Sequence, residues 1–276
     1  KVTLVLEKFQ PDMVLVHGDT MTTLSTSLAC YFKRIDVAHV EAGLRTGDIY
    51  SPWPEEINRK VTSSIAKYHF APTEKSKKNL LLENIDERSI FITGNTVVDA
   101  LLIIKDKIVS NKQLEKNLIS YFGNINFEKK IILVTGHRRE NFGDGFTQIC
   151  KGLQEVATKH PDVEIVYPVH LNPNVQGPVK SRLSNFDNIK LIEPLSYLNF
   201  VFLMMRSFII LTDSGGIQEE APTLKKPVLL MRDTTERPEA VDAGFVKLVG
   251  TSATNILAAV EELLVSENAY REMTIG

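Results

Sequence analysis

Short runs of aliphatic and β-branched residues alternate along the chain with segments whose apolar residues follow helical spacing. Such runs, when bounded by glycine or polar residues, predict buried strands. Ten runs have this character: residues 13–16, 37–40, 68–71, 90–93, 131–135, 163–168, 189–192, 208–211, 228–231 and 246–249. Because helical segments fill most of the gaps, the pattern predicts an α/β protein whose parallel sheets carry helices on both faces.

The stretch between about residues 100 and 130 separates two series of strands. It contains a predicted helix, Lys112–Tyr121, and then a loop that ends in charged residues. Domain boundaries fall in polar connections of this kind. We predict a partial first domain over residues 1–105, a linker region over residues 106–130 and a second domain over residues 131–276.

Composition narrows the classes of protein that fit this pattern. With 276 residues, 43% of them hydrophobic, the chain is long enough for two domains with cores of their own. Its formal charge of −2 argues against a nonspecific nucleic-acid-binding protein. The longest apolar stretch, residues 198–211, is interrupted by polar residues and is too short to span a bilayer. We therefore expect neither a nucleic-acid partner nor a membrane partner.

The two cysteines, Cys30 and Cys150, both lie in helical patterns. Two thiols without a spaced framework indicate a reducing compartment, and we expect both to be buried and unreactive. The chain opens as the middle of a helix, with no recognisable signal peptide. These features predict a cytoplasmic protein.

A basic loop follows the predicted strand at residues 131–135. The loop begins with Gly136, His137, Arg138 and Arg139. A helix is predicted after it, over residues 143–159. Open α/β sheets bind ligands at the carboxyl ends of their strands, so these cations are expected at a binding edge. Solvated surface charge is the alternative interpretation.

Carboxylates follow the first two predicted strands. Asp19 comes after a glycine, Gly18, that permits a tight turn, and capping of the next helix is its alternative role. Glu41 comes directly after the second strand. A buried carboxylate is costly without a partner, so an ion pair with Arg45 is the structural alternative to a functional role for Glu41.

A helix is predicted to start at Pro54, with Glu55 and Glu56 in its first turn, where the helix dipole favours acids. The dipole alone explains both glutamates. Glu55 and Arg59, however, stand at i and i+4 on one face. A carboxylate beside a guanidinium group suits proton transfer near an anionic ligand. The sequence leaves a catalytic role and a simple ion pair equally open.

The strongest candidate for ligand binding follows the predicted strand at residues 208–211. Ser214, Gly215 and Gly216 open a helix there, which exposes backbone N–H groups to anions. Glu220, one turn into the helix, is placed to accept hydrogen bonds from ribose hydroxyls. The segment is neither a Walker loop nor a GxGxxG motif, so it predicts a nucleoside diphosphate held without a P-loop. A glycine turn with a helix cap is the alternative.

Two further strands are also followed by polar loops, one with His170 and one over residues 231–239. Four such loops at the strand ends of one domain indicate a binding site more strongly than any one of them. No pair among the six histidines has the spacing of a zinc site, and the carboxylates form no hard-cation loop. We therefore predict no required metal.

Six segments of the sequence carry a family resemblance: residues 17–20, 39–47, 52–59, 136–141, 212–222 and 232–239. In order, and over nearly the whole chain, they resemble the non-hydrolysing, bacterial-type UDP-N-acetylglucosamine 2-epimerases. The resemblance implies an α/β fold of the GT-B type. Such a fold has two Rossmann-like domains with parallel sheets and an interdomain active-site cleft.

The resemblance also implies an activity. Enzymes of this family interconvert UDP-N-acetylglucosamine and UDP-N-acetylmannosamine by eliminating UDP and adding it back to 2-acetamidoglucal, and they supply bacterial surface polysaccharides. The family's catalytic residues match Asp19, Glu41, Glu55 and His137. Substrate binding would fall to Arg59, Arg138, Ser214, Gly215, Gly216 and Glu220. No cofactor is implied, and nicotinamide is not needed because no hydride leaves the sugar.

Family members also bind a second UDP-N-acetylglucosamine as an allosteric activator. Glu56, Arg139 and His170 are candidates for that site by position. The expected partners are UDP-N-acetylglucosamine, UDP-N-acetylmannosamine, UDP and a second copy of the chain in a homodimer.

Two parts of the family pattern have no counterpart in the sequence. One is an early Gly-Thr-Arg-Pro-Glu motif with a lysine, and the other is a late Asn-Pro-Tyr-Gly-Asp-Gly segment with a final helix. We expect the chain to lack the family's N-terminal portion and C-terminal end. Two alternatives to the epimerase stay open: a GT-B glycosyltransferase that transfers a nucleotide sugar to an acceptor, and a nucleotide-sugar-binding fragment without turnover.

Overall fold

The computed structural model of the chain describes residues 1–275. The chain divides into two compact units, of which the first is Lys1–Thr96 and the second begins at Val97. Gly276, the last residue of the predicted second domain, lies outside the described residues.

The first unit contains a four-stranded parallel sheet in the order β1-β2-β3-β4. Its strands are β1 (Met13–His17), β2 (Asp36–Val40), β3 (Tyr68–Ala71) and β4 (Ile90–Ile92). Its helices are α1 (Val2–Phe9), α2 (Met21–Lys33), α3 (Glu55–Ile65) and α4 (Glu74–Leu82), with a 3₁₀ turn at Glu87–Ser89. In a parallel sheet all strands end at the same edge, so the segments that follow β1 and β2 are neighbours.

The second unit contains a six-stranded parallel sheet in the order β10-β9-β8-β5-β6-β7. Its strands are β5 (Lys130–Thr135), β6 (Val163–Pro168), β7 (Ile189–Ile192), β8 (Ile209–Thr212), β9 (Val228–Leu230) and β10 (Val246–Leu248). Its helices are α5 (Thr96–Ser110), α6 (Lys112–Tyr121), α7 (Asp144–Lys159), α8 (Pro173–Leu183), α9 (Tyr197–Arg206), α10 (Ile217–Thr223), α11 (Pro238–Asp242), α12 (Ala253–Val265) and α13 (Glu267–Ile275), with a 3₁₀ turn at Arg139–Asn141.

The sheet of the second unit is covered on both faces. The four residues Ile131 to Val134 of β5 are all buried, and alternate ones belong to two different apolar clusters. Helix α7 contributes Phe146, Ile149 and Leu153 to one of these clusters, at helical spacing. This two-sided burial explains why the strands read as continuous apolar runs.

All ten predicted strands are present within one or two residues of their predicted bounds, and the predicted helix Lys112–Tyr121 is confirmed. The thiols of Cys30 and Cys150 are buried and free, as expected. No helix within residues 1–275 is long and apolar enough to cross a bilayer.

The division between the units lies earlier in the chain than the predicted end of the first domain at residue 105. Residues 106–130, predicted as a linker region, instead lie in the second unit and end with the first residue of β5. The reason is apolar packing, because Ile108 of α5 and Leu118 of α6 are buried in the core that also contains Ile131 and Leu133. Residues 106–130 are rich in charged residues, which made the stretch look like a linker. The apolar residues of α5 and α6 nevertheless pack into the core of the second unit.

Candidate functional site

Two of the candidate carboxylates, Asp19 and Glu41, follow adjacent strands of the first unit. His17 is the register partner of Val40, so the segments that follow β1 and β2 leave the sheet side by side. Gly18 has a φ of +69°, and a Cβ at this position would lie 3.2 Å from Oε2 of Glu41. The positive φ favours glycine here, and an added Cβ would crowd the Glu41 carboxylate.

Asp19 is held by α3 at two points. Its Oδ2 accepts hydrogen bonds from Nε of Arg59 at 3.0 Å and from Nη2 at 2.7 Å. Its backbone carbonyl accepts a hydrogen bond from Nδ2 of Asn58 at 2.7 Å. The Asp19 side chain remains 27% exposed, so a ligand can still reach it. The charge-assisted pair with Arg59 fixes the direction in which the carboxylate points.

The i,i+4 ion pair between Glu55 and Arg59, one of the two alternatives that the sequence left open, is not formed. Arg59 is buried and its Nη1 pairs with Glu56 at 3.0 Å, three residues earlier, while its other nitrogens bind Asp19. Pairs at i,i+3 lie as close on a helix as pairs at i,i+4, so spacing alone does not choose between them. Within residues 1–275 we find no hydrogen bond or ion pair of the Glu55 carboxylate, which is partly exposed.

Glu41 lies in the left-handed region, with a φ of +65°. Its Oε1 accepts a hydrogen bond from Nδ2 of Asn95 at 3.0 Å, and its Oε2 lies 3.7 Å from Nε2 of His17. Arg45, the alternative partner considered for Glu41, is not the partner found. The Arg45 guanidinium group instead donates to both carboxylate oxygens of Glu83, at 2.8 and 2.6 Å. Glu41 thus contacts an amide and a titratable imidazole.

Two buried histidines lie beneath these carboxylates. His39 and His69 face each other in register on β2 and β3, and both are almost completely buried. Nε2 of His39 lies 2.8 Å from the carbonyl oxygen of Gly18, the residue before Asp19. Burial lowers the pKa of each histidine to about 4. His39 is therefore neutral near pH 7 and donates its Nε2–H to the Gly18 carbonyl.

In the second unit, the basic loop after β5 is anchored by Asp213, which follows the adjacent strand β8. The carboxylate is completely buried. Its Oδ2 accepts from the backbone nitrogens of His137 and Arg138, both at 2.9 Å, and from Nδ2 of Asn141 at 3.1 Å. Asp213 was not predicted as a site residue. The available signal was a carboxylate directly after a buried strand, which must find donors.

His137 is held by this anchor with its ring accessible. Its side chain is 43% exposed, and Nδ1 lies 3.6 Å from Oδ1 of Asp213. The ring stacks on His170, with ring centroids 5.4 Å apart and an interplanar angle of 19°. Burial lowers the pKa of His137, and Arg138 and His170 act in the same direction, whereas Asp213 raises it. The neutral imidazole is therefore favoured.

The segment from Ser214 to Gly216 connects β8 to α10. Ser214 donates its backbone N–H to Oγ1 of Thr212 at 3.0 Å. In the described part of the chain we find no acceptor for the backbone N–H of Gly215 or Gly216. A Cβ on Gly215 would lie 2.6 Å from both Nη1 of Arg237 and Oε1 of Glu236. The backbone N–H groups of Gly215 and Gly216 are thus available to a ligand, and the charged side chains of Arg237 and Glu236 pack closely against Gly215.

Three arginines and three glutamates form an ion-pair network around Gly215: Arg138, Arg232, Arg237, Glu140, Glu219 and Glu236. Glu236 is at its centre and pairs with Arg232 at 2.9 Å and with Arg237 at 2.6 Å. Arg138 lies farther away, at 3.9 Å from Glu236, and its side chain is 20% exposed, compared with 1% for Arg232 and 10% for Arg237. Of the three guanidinium groups, that of Arg138 therefore keeps the most donor capacity for a ligand.

Glu220 is buried, with 6% of its surface exposed. It accepts a hydrogen bond from the hydroxyl of Tyr197 at 2.7 Å. Burial raises the pKa of Glu220, although the Tyr197 hydroxyl acts in the opposite direction. Tyr197 was not predicted as a site residue, because a tyrosine in an apolar helix reads as part of the core.

The three candidates for a second ligand site differ in exposure. Arg139 and His170 are exposed, and Nδ1 of His170 accepts from the backbone nitrogen of Asn172 at 3.1 Å. Glu56 is completely buried. Direct ligand contact by Glu56 is therefore incompatible with this structure, because its carboxylate has no exposed surface. Over residues 1–275 no group of three acidic, histidine or cysteine side chains is arranged to hold a metal ion.

Comparison with known proteins gives one consistent result. A family profile described as UDP-N-acetylglucosamine 2-epimerase matches residues 1–275. The UDP-N-acetylglucosamine 2-epimerase of Yersinia pestis is 61% identical over 270 residues, which cover 98% of this chain and 72% of the relative. The enzyme of the same name from Escherichia coli (strain K12) is 60% identical with the same coverage.

Solved structures agree with these sequence matches. The UDP-GlcNAc 2-epimerase from Neisseria meningitidis, crystallised with UDP-GlcNAc, superposes with a TM-score of 0.97 at 52% identity, covering 99% of this chain and 73% of that one. The Methanocaldococcus jannaschii enzyme, in complex with UDP-GlcNAc and UDP, gives 0.86 at 41% identity, covering 96% and 72%.

The predicted α/β class of the GT-B type is confirmed by the two parallel sheets and by these superpositions. The match continues through both units, and it includes the strand ends that carry Asp19, Glu41 and His137. An accidental resemblance would not extend to both sequence and fold over this length. The chain belongs to the UDP-N-acetylglucosamine 2-epimerase family.

Proposed function

We propose that the chain catalyses the reversible epimerisation of UDP-N-acetylglucosamine at C2, giving UDP-N-acetylmannosamine. The observation that carries the proposal is the family match over residues 1–275, which includes all four candidate acid–base residues. The nucleotide sugar and UDP named for the solved relatives are the ligands we assign to this chain. It acts without a redox cofactor, because substrate and product have the same oxidation state.

The proposed reaction has two balanced halves. A base removes the proton from C2 while the bond between C1 and the β-phosphate oxygen breaks, so UDP leaves with the electron pair and a C1–C2 double bond forms. The product is 2-acetamidoglucal. In the second half an acid delivers a proton to the opposite face of C2 and the UDP oxygen re-forms its bond to C1. Both proton transfers need positioned groups with accessible lone pairs or protons.

We assign the proton transfers to Asp19, Glu41 and Glu55. Asp19 and Glu41 come from neighbouring strand ends, and Glu55 begins the helix whose Asn58 and Arg59 hold Asp19. The assigned carboxylates remain partly exposed, which proton exchange with a sugar requires. This geometry supports Arg59 as the partner of Asp19 in place of the direct substrate contact expected from the sequence.

We assign binding of the leaving UDP to the second unit. The exposed imidazole of His137, the guanidinium group of Arg138 and the backbone N–H groups of Gly215 and Gly216 are the donors for the diphosphate, with the Ser214 hydroxyl beside them. Negative charge grows on UDP as the C1–O bond breaks, so these donors stabilise the transition state more than the ground state. Glu220 accepts hydrogen bonds from the ribose.

Heavy-water NMR tests the proposal. The protein is incubated with UDP-N-acetylglucosamine in D₂O, and the C2 proton signal is followed together with the signals of the manno epimer. We expect deuterium at C2 and formation of the epimer. UDP release only after addition of an acceptor sugar would indicate a glycosyltransferase instead, and binding without exchange would indicate a protein without turnover.

Glu55→Gln is the matched variant for this test. It preserves shape and removes the carboxylate, so we expect exchange to fall by at least about 100-fold. Exchange at the wild-type rate would remove Glu55 from the mechanism.

A further inference from the structure

Two consecutive glutamates at the start of α3 have opposite environments. Glu55 is partly exposed, and we find no partner for its carboxylate among residues 1–275. Glu56 is completely buried and accepts three hydrogen bonds. Its donors are the backbone nitrogen of Thr46 at 3.2 Å, the backbone nitrogen of Gly47 at 3.1 Å and Nη1 of Arg59 at 3.0 Å. The pair thus combines one available carboxylate with one that is fully engaged.

The burial of Glu56 is not explained by the helix dipole. A dipole favours acids in the first turn, and an exposed glutamate benefits from it as Glu55 does. Removing a carboxylate from water costs several kcal/mol, so a completely buried one must be offset by charge and by several donors. Glu56 has both, through Arg59 and two backbone amides. What these three donors have in common is their connection to the proposed catalytic carboxylates.

The first connection passes through Arg59 to Asp19. The guanidinium group of Arg59 lies between the two acids, with Nη1 on Glu56 and with Nε and Nη2 on Oδ2 of Asp19. The side chain of Arg59 is only 3% exposed. Because a planar guanidinium group is fixed when both of its edges are bound, Glu56 sets the angle at which Arg59 meets Asp19.

The second connection passes through the loop that follows Glu41. Thr46 and Gly47 donate to different oxygens of Glu56, which fixes the end of the segment that starts at Glu41. Gly47 has a φ of +84°, so this loop holds a tight turn at the point of contact. One buried carboxylate therefore joins helix α3, which carries Glu55, to the loop after Glu41 and to Asp19.

We propose that Glu56 is a positioning residue for the epimerisation, which sets the relative placement of Asp19, Glu41 and Glu55 through Arg59 and the loop at Thr46–Gly47. This inference rests on the proposed function. In this proposal Glu56 affects the reaction by positioning other residues and does not contact the ligand. Misplacement of a catalytic group by about 1 Å costs on the order of 100-fold in rate, so the effect of losing Glu56 is measurable.

Glu56→Gln is the first test. Glutamine keeps the shape, but its NH₂ group faces an N–H donor where a carboxylate oxygen had accepted, and Arg59 loses the negative charge of its partner. We expect kcat to fall by roughly 10- to 100-fold while KM changes by less than about twofold, because the residue does not touch substrate. A purely structural residue would lower the folded fraction and would leave kcat per folded molecule unchanged.

Glu83→Gln is the matched control. Glu83 also pairs with an arginine through both carboxylate oxygens in the same unit. Its partner is Arg45, whose other hydrogen bonds within residues 1–275 go to the Leu44 carbonyl and the Ser63 hydroxyl, and none goes to Glu56 or Asp19. We expect Glu83→Gln to lower the melting temperature without changing kcat. An equal loss of kcat in both variants would mean that general destabilisation is the cause, and it would overturn the proposal.

Arg59→Lys keeps the experiment decisive if Glu56→Gln folds poorly. A lysine ammonium group cannot bind Glu56 and Asp19 together in the geometry of the guanidinium group. We expect a similar fall in kcat, an unchanged KM, and no further loss in the double variant, because the two residues act in series. A raised KM in Arg59→Lys would instead indicate substrate contact by Arg59 and would overturn the proposed connection.

The outcomes separate this inference from the proposed function. Wild-type protein that incorporates no deuterium at C2 would overturn the proposed function, and this inference with it. Normal exchange by the wild type, combined with wild-type kcat in folded Glu56→Gln, would overturn the positioning role alone.

Discussion

The buried carboxylate of Asp213 lies 2.9 Å from the backbone nitrogen of His137. This contact fixes the start of the loop that carries the imidazole, and the same oxygen also binds the backbone nitrogen of Arg138. Strands β5 and β8 are adjacent, so an acid at the end of one is in reach of the amides that follow the other. The imidazole and the guanidinium group proposed to bind UDP are therefore presented by one internal hydrogen-bonding centre.

Asp213→Asn is expected to be costly for this reason. The amide oxygen can take the place of Oδ2, which accepts from the backbone nitrogens of His137 and Arg138 and from Nδ2 of Asn141, but it carries no charge. The NH₂ group then replaces Oδ1, 3.2 Å from the backbone nitrogen of His137, so that two donors face each other. We expect the free energy of unfolding to fall by about 1–3 kcal/mol and kcat to fall with it. Urea denaturation and the exchange assay measure the two effects.

Asp162→Asn is the control, because Asp162 is exposed in the turn before β6 and should change stability by less than about 0.5 kcal/mol. An equally small change in Asp213→Asn would contradict the anchoring role.

The buried histidine His39 predicts how stability depends on pH. Its pKa in the folded protein is lowered to about 4 by burial, below the ordinary value of 6.5 for an unfolded chain. Protonation then favours the unfolded state, so the stability of the fold is complete above about pH 6.5 and is lost as the pH falls toward 4. Between pH 7 and pH 5 we expect His39 to account for a loss of roughly 2 kcal/mol.

His39→Gln tests this prediction. The glutamine amide can still donate to the carbonyl of Gly18, but it does not titrate. Urea denaturation at pH 7 and pH 5 should show a smaller difference in the variant than in the wild type. Equal differences would mean that His39 does not cause the acid sensitivity.

The strand-end positions of the candidate residues could be predicted because they depend on local pattern. An apolar run that stops at Gly18 or Gly136 marks the edge of a parallel sheet, and the residues that follow must lie there. The pairing of those residues could not be predicted. Arg45 pairs with Glu83, 38 residues away, and Asp213 holds a residue 76 positions earlier. Such partners are chosen by tertiary packing, about which sequence spacing carries no information.

The glutamates of α3 show the same limit within a single helix. Glu55, Glu56 and Arg59 all fit a favourable helical spacing, and only burial separates the engaged acid from the available one. The sequence left an ion pair between Glu55 and Arg59 open, and the structure pairs Arg59 with Glu56.

Glu220 leads to a prediction about ligand selectivity. If its carboxylate accepts hydrogen bonds from the ribose, wild-type protein should bind UDP more tightly than the 2′,3′-dideoxy analogue of UDP. Each lost hydrogen bond to a charged group costs about 1.5–3 kcal/mol, so we expect a preference of at least tenfold. In Glu220→Ala the preference should nearly disappear. Titration calorimetry with both ligands measures it, and an unchanged preference would assign the ribose to other residues.

Gly215 predicts a steric effect on UDP binding. Its φ is not in the left-handed region, so alanine is compatible with the backbone, but the added Cβ would lie 2.6 Å from Nη1 of Arg237 and Oε1 of Glu236. Both atoms belong to a buried ion pair and cannot move without breaking it. Gly215→Ala should therefore displace the charged network and the adjacent backbone donors. We expect the Kd for UDP to rise at least tenfold, which corresponds to about 1.4 kcal/mol.

Gly177→Ala provides the control for Gly215→Ala. Gly177 lies in α8, where an added Cβ would meet no atom within 4 Å. Alanine is the better helix former by about 1 kcal/mol, so this variant should be as stable as the wild type or slightly more stable, and its Kd for UDP should not change. Because both substitutions add one methyl group to the second unit, a difference between them isolates the packing around Gly215. Equal UDP affinity in the two variants would show that the network tolerates displacement and would remove the Gly215 amide from the proposed UDP site.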